Sequence, residues 1–123
     1  MKKLFISCPM KGRSDEAIKK SRDKMHKLAE LIYEEELEVI DSFIPGNAPD
    51  TRRVPVWYLG KSIQMMADAD YFIGIHGTYD FKGCHIEETI AAEYEIPSTF
   101  IHYKHVVQDI EVAESYMALG IMR

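Results

Sequence analysis

The chain has little cysteine, no excess of basic residues and no long apolar run. Its two cysteines, Cys8 and Cys84, do not suggest a disulfide framework. No apolar stretch reaches the roughly 20 residues of a membrane-spanning helix. The opening Met1-Lys2-Lys3-Leu4-Phe5-Ile6 imitates a signal peptide only briefly, because Pro9 and Lys11 break the run too soon. A cytoplasmic, reducing setting with no membrane partner is the expectation. Lysine and arginine number 15 against 20 aspartates and glutamates, for a net charge of -5. A nucleic-acid polymer is therefore not an expected partner. A small anion is not excluded, since it needs only a local nest of N–H groups and one or two cations. The Walker A and G-x-G-x-x-G patterns are both missing. Apart from the neighbours Cys84 and His85, histidines and cysteines are scattered, whereas a zinc site usually takes about four ligands. Neither a metal nor a cofactor is expected.

What the chain does have is enough apolar content, 46% of 123 residues, for a proper core in one domain spanning 1–123. Leu4-Phe5-Ile6-Ser7 reads as a central strand, and Cys8 to Arg13 as a loop marked by Pro9 and Gly12. Ser14 is an N-cap followed by Asp15 and Glu16. The helix behind it carries Ile18, Met25, Leu28 and Ile32 on one face and runs to about Glu35. Leu37 to Ile40 is a second strand. Asp41 to Arg53, with two prolines and a glycine, is a long loop of the kind that often edges a substrate site. A helix is predicted from Val56 to about Ala67, a strand over residues 71–75, a helix from about His85 to Glu95 and a strand over 97–102. Val106, Ile110, Ala113 and Met117 mark a last amphipathic helix. Strict β-α alternation predicts an α/β fold: a Rossmann-like three-layer sandwich, with a parallel sheet of four to five strands and helices on both faces.

Gly83-Cys84-His85-Ile86-Glu87 follows the apolar run Tyr71–Ile75 and opens a helix. Glu87 is thereby expected in a first helical turn beyond the carboxyl end of a strand, where open α/β sheets bind ligands. A carboxylate there can be a nucleophile toward a sugar carbon, or it can merely complement the helix N-terminus. Glu88 is rotated about 100° from it and cannot face the same ligand. Asp80, in the loop on the cleft side, is a better functional candidate than Asp70 at the strand's start. Tyr79, Phe81 and Trp57 can stack on a base or simply pack. The backbone of the first loop, with Lys11, Arg13 and the helix N-terminus, can hold a phosphate or be an ordinary turn. Cys84 and His85, being adjacent, make a poor nucleophilic pair, and Cys84 is expected to pack at the helix start.

Lys3-Leu4-Phe5-Ile6-Ser7-Cys8-Pro9-Met10-Lys11-Gly12 resembles the opening of the nucleoside 2-deoxyribosyltransferase-like superfamily, where K-I-Y-I-S-G-P-M-x-G is common. Gly83-Cys84-x-x-Glu87-x-x-x-Ala91, with Pro97 beyond, parallels the family's G-[AT]-x-x-E-x-x-x-A-x-x-x-G-x-P. The Trp57 helix and the Ala69-Asp70 pair match as well, so the resemblance covers the chain up to about residue 102. It implies a Rossmann-like dimer, or higher homo-oligomer, that cleaves the N-glycosidic bond of a deoxynucleoside or its 5′-monophosphate by transfer or hydrolysis. It implies Glu87 as the nucleophile. The first-loop residues Ser7, Cys8, Pro9, Met10, Lys11, Gly12 and Arg13, together with Tyr79 and Gly83, would face the small-molecule substrate, and Asp80 or His85 is left to substitute in acid–base work. The sequence departs from the pattern at four places. Phe5 stands for a tyrosine, Ser62 for an aspartate, Phe81 for a serine and Cys8 for a glycine. A second expectation therefore stands beside the enzyme: a nucleotide-binding protein of the same fold with weakened catalysis. Glu87 discriminates between them. A hydroxyl or carboxyl within bonding reach favours catalysis, whereas capping of local N–H groups under a pocket filled by Phe81 disfavours it.

Overall fold

A computed structural model describes residues 1–42 and 47–108. The elements run β1 (Lys2–Ile6), α1 (Asp15–Tyr33), β2 (Leu37–Val39), α2 (Val54–Met66), β3 (Tyr71–His76), α3 (Lys82–Glu93) and β4 (Ser98–His102), followed by a short 3-10 turn over Tyr103–His105. Among the described residues the strands form one sheet in the order β2-β1-β3-β4, with every pairing parallel. The α/β expectation holds, at the lower end of the strand count. The predicted last helix lies outside the described residues beyond Val106 and the turn that follows it.

Local chemistry explains the elements. Ser14 caps α1, its side chain accepting from the Ala17 N–H, and Asp15 and Glu16 occupy the first turn. Met25, Leu28, Ala29 and Ile32 then fall at helical spacing on its buried face. Glu34 adopts a left-handed φ of 57° and returns its N–H to Glu30, which ends the helix. Pro55 sits in the first turn of α2, where its missing N–H costs nothing. On α3, Cys84, Glu87 and Ala91 are the buried stripe. A glutamate thus occupies a position that helical periodicity reserves for apolar side chains. That helix begins at Lys82, earlier than His85, because Phe81 starts it without any side-chain cap to announce it.

Alternation along the strands divides the core. Leu4, Ile6, Ile73 and Ile75 pack with Met25, Leu28, Ala29 and Ile32 of α1. Phe5 and Phe72 pack with Met66 of α2 and Ala91 of α3. Each of the buried Leu, Ile, Phe and Met side chains is worth about 1.5–3 kcal/mol relative to exposure. The chain leaves β1 for β2 on one side and returns to β3 on the other, so the strand order reverses between β1 and β3. That is the topological switch point at which open α/β sheets bind ligands, beyond the strands' carboxyl ends. β1 stops at Ile6, paired with Ile73, while β3 continues to His76 beside β4. Ser7 fills the step, donating its N–H to the Ile73 carbonyl at 2.9 Å.

Candidate functional site

Glu87 stands at that step. The Ser7 hydroxyl donates to Oε1 at 2.7 Å, and the Ser62 hydroxyl donates to Oε2 at 2.5 Å. Three elements converge on one carboxyl group: the end of β1, α2 and α3. Glu87 is buried, at 7% exposure. It lies in the second turn of α3 and not the first, which corrects the expected position, and no acidic residue occupies that first turn. Complementing the helix N-terminus is therefore not its role. Burial pushes the carboxyl above its ordinary 4.5, while the Ser62 and Ser7 hydroxyls and the field of Arg22 favour the charged form.

The serines also revise two departures from the family pattern. Ser62, standing where an aspartate is expected, still contributes a polar group, since its hydroxyl is on Glu87. Phe5 has no hydroxyl, and its ring stacks on Phe72 with centroids 5.9 Å apart. Ser7, two residues on and therefore on the same face of the strand, supplies a hydroxyl to the glutamate. Phe81 is half-buried and packs against the α1-side core.

The first loop is a tight turn. The Arg13 N–H returns to the Met10 carbonyl at 3.1 Å, and Gly12 sits third with φ 73°. That left-handed position suits glycine. Pro9 and Cys8 are buried beneath the turn, whereas Met10, Lys11 and Gly12 are exposed. Burial raises the Cys8 thiol, partly offset by Arg13 and Arg22. Arg13 itself is spent on structure. Its guanidinium donates to Pro9 O at 2.8 Å, Ser21 Oγ at 2.6 Å and Val106 O at 3.2 Å. Of the two cations assigned to phosphate, Lys11 alone projects outward. Cys84 is buried, as expected at the start of the helix, with its thiol pushed up to about 12 chiefly by burial.

The loop after β3 is open to solvent. Tyr79 is 80% exposed, its ring edge-on to His85 with centroids 5.2 Å apart. Asp80 is exposed, and its N–H donates to Thr78 Oγ1 at 3.2 Å. No hydrogen bond among the described residues joins Asp80 to Glu87. Gly83 is half-buried, with Leu59 the nearest neighbour to an added Cβ, at 3.9 Å.

Two side chains gain importance that sequence reasoning did not give them. Arg22 of α1 reaches Ser42, just past β2, at 3.2 Å, and its charge acts on both Glu87 and Cys8. Nothing in its sequence context signals this. Glu88 lies against β3 at Gly74, where an added Cβ would come within 3.2 Å of its Cγ and Oε1. A glycine inside an apolar strand is the available signal, since it often marks a close approach.

Two shallow concavities, of about 460 and 270 Å³, lie away from Glu87. Ile63, Met66, Ile90, Tyr94, Ile96 and Pro97 help line the first, and Lys3, Glu38, Ile40 and Met65 the second. The larger sits at the amino ends of β3 and β4, opposite the switch point. Among the described residues no group of three or more His, Cys, Asp or Glu is arranged to hold a metal ion. No described helix is long and apolar enough to cross a membrane. No family model, curated protein or solved structure matches the chain.

Proposed function

We propose that this protein breaks the N-glycosidic bond of a deoxynucleoside or its 5′-monophosphate, with Glu87 as the nucleophile. The observation that carries this reading is the buried carboxyl group of Glu87, each oxygen bonded to a serine hydroxyl from a different element, at the switch point of the sheet. A structural carboxylate has little reason to occupy a buried stripe position, because an apolar residue there avoids the desolvation cost. Two neutral donors fix the carboxylate's orientation without neutralising it, as a nucleophile requires.

One oxygen of Glu87 attacks the anomeric carbon as the carbon–nitrogen bond breaks and the base leaves. A water molecule or a second base then attacks the same carbon and releases Glu87. This is the two-step logic of retaining glycosidases, in which a carboxylate traps an oxocarbenium-like centre. The exposed Lys11 and the turn amides are the groups available to a 5′-phosphate, with Tyr79 available to stack on the base. Self-association belongs to the same reading. α2 is largely apolar, yet of its thirteen residues only Met66 is fully buried, and Val54 and Val56 are exposed. A second copy of the chain covering this helix would enclose the Ser62 side of the site.

A second reading, nucleotide binding with weakened catalysis, draws support from Asp80, whose carboxylate has no partner at Glu87. One assay separates the two. The protein and Glu87→Ala are incubated with a panel of deoxynucleosides and their 5′-monophosphates, and free base is quantified by chromatography. Base release that disappears in Glu87→Ala is the expected result. Tight binding without base release refutes the enzyme and leaves the binding protein.

A further inference from the structure

His102 ends β4 and caps the 3-10 turn that follows it, its side chain accepting from the Lys104 N–H. The acceptor is Nδ1, at 3.3 Å. An imidazole nitrogen that accepts a hydrogen bond carries no proton, so the ring is neutral with its hydrogen on Nε2. We infer that His102 is a proton-operated latch: neutral, it holds the turn Tyr103–His105 shut, and protonated, it releases the turn and with it the brace on the first loop. The latch operates on that loop whether or not Glu87 is a nucleophile.

Three neighbours hold the ring with Nδ1 toward the turn. His76 is its partner in the β3–β4 register and stands edge-on to it, with ring centroids 5.1 Å apart. The Tyr103 ring lies against it, with centroids 4.9 Å apart. Gly77 passes beside it with φ 91°, and an added Cβ there would come within 2.5 Å of Nε2. The turn is in its own right tied to α1. Lys24 donates to the His105 carbonyl at 2.7 Å. Ser21 and Arg13 each donate to the Val106 carbonyl at 3.2 Å, and the Val106 side chain is buried in the α1-side core. Arg13 bridges to the first loop, since its other terminal nitrogen donates to Pro9 O at 2.8 Å. Pro9 is buried two residues beyond Ser7, which holds Glu87. Hydrogen bonds thus run from the His102 ring, through one short turn, to the first loop.

Protonation breaks the latch in two ways. A hydrogen on Nδ1 points at the Lys104 N–H, so the cap bond is replaced by two opposed donors. The new charge also falls among basic groups: His76 across the sheet, Lys104 and His105 in the turn, and Lys24 of α1 on the His105 carbonyl. These surroundings already disfavour positive charge. Burial first, then His102 and His105, hold the His76 ring below its ordinary 6.5. The sign follows from proton linkage. A histidine depressed on folding contributes stability that is fully present above its ordinary value and is lost as pH falls through the depressed one. The closed turn is therefore the neutral-pH form. The acid form is the open turn, with the Val106 carbonyl withdrawn from Arg13.

Amide exchange, corrected for its intrinsic dependence on pH, tests the latch. The wild type, His102→Asn and His102→Ala are compared at about pH 7.5 and about pH 5.5, on either side of the ordinary histidine range. An asparagine carbonyl oxygen can cap as Nδ1 does, but it does not titrate. In the wild type the Val106 and Val107 amides, which bond to the Tyr103 carbonyl, and the Arg13 amide, which bonds to the Met10 carbonyl, are expected to lose about fivefold in protection on acidification, the usual worth of one cap bond. The β1–β3 ladder is expected to keep its protection throughout, which also reports that each variant is folded. His102→Asn is expected to stay protected at both pH values, and His102→Ala to be weakly protected at both. Wild-type protection that ignores pH, a His102→Asn that loses as much as the wild type, or a His102→Ala as protected as the neutral wild type overturns the latch. So does a fall shared by the β1–β3 ladder, which is global unfolding, or one confined to the turn, which leaves the first loop unbraced by it. A second readout needs no variant. In nuclear magnetic resonance spectra of the wild type, the His102 ring and the Lys104 amide are expected to titrate with one midpoint, and separate midpoints overturn the latch by themselves.

Discussion

Glu88→Gln makes a prediction that requires no substrate. The Glu88 carboxyl moves from its ordinary 4.5 to about 7 in the folded protein, through burial first and the neighbouring charge of Glu87 second. At about 1.4 kcal/mol per unit, full conversion would amount to roughly 3 kcal/mol. Glu88 is only half-buried, and solvent screening reduces this to about 1–2 kcal/mol. The sign follows from proton linkage. A carboxyl raised on folding binds more protons in the native than in the unfolded chain between the two values, so stability falls with rising pH there. Its contribution is fully present below pH 4.5 and is lost as pH rises through about 7. Urea denaturation followed by circular dichroism, at intervals from pH 4.5 to pH 8, measures it. Glu88→Gln is expected to match the wild type at the acid end and to exceed it by about 1–2 kcal/mol at pH 8. A slope of the same sign persists in the variant, because Glu87 is also raised by burial. A stability difference that stays constant across the range, or a variant less stable at pH 8, would refute the placement of Glu88 against Gly74.

Two further substitutions probe the site's supports. Ser62→Ala removes a hydrogen bond to a charged, buried acceptor and is expected to cost about 1.5–3 kcal/mol at pH 7. It moves the Glu87 carboxyl further upward, so urea midpoints of variant and wild type should converge at acid pH, and a pH-independent deficit would rule out a bond to the carboxylate. Gly12→Ala places a Cβ on a left-handed residue, with φ 73° and nothing within 4 Å of the added atom. The cost is then backbone strain alone, about 1–2 kcal/mol in thermal or urea denaturation, and an unchanged midpoint would argue against the turn.

Much of the fold was legible in the chain. Ser14, the acidic pair behind it and the Met25-Leu28-Ile32 stripe announce α1, because capping and helical periodicity act within a few residues. The apolar runs at 4–6 and 71–75 announce buried parallel strands, and their alternation with helices leaves few arrangements. The start of α3 was less legible because Phe81 carries no cap. The Gly83–Glu87 segment points to the site, yet by sequence the same residues suit a helix end, and only the start of α3 at Lys82 places Glu87 beyond its first turn.

The partners of Glu87 were not legible. Ser7 is eighty residues away and Ser62 twenty-five, and neither lies in a pattern that names its partner. They meet because β1 pairs with β3, which sets the end of β1 beneath α3, and because α2 packs beside α3. The same is true of Arg13, whose spacing in the loop resembles a phosphate ligand but whose guanidinium is taken up by Ser21 and the Val106 carbonyl. Local forces, which depend on near neighbours in the chain, determined the helices, strands and the identity of the candidate carboxylate. Strand order and helix packing, which depend on contacts between distant segments, decided which hydroxyls hold it and which neighbouring glutamate lies against Gly74 of β3.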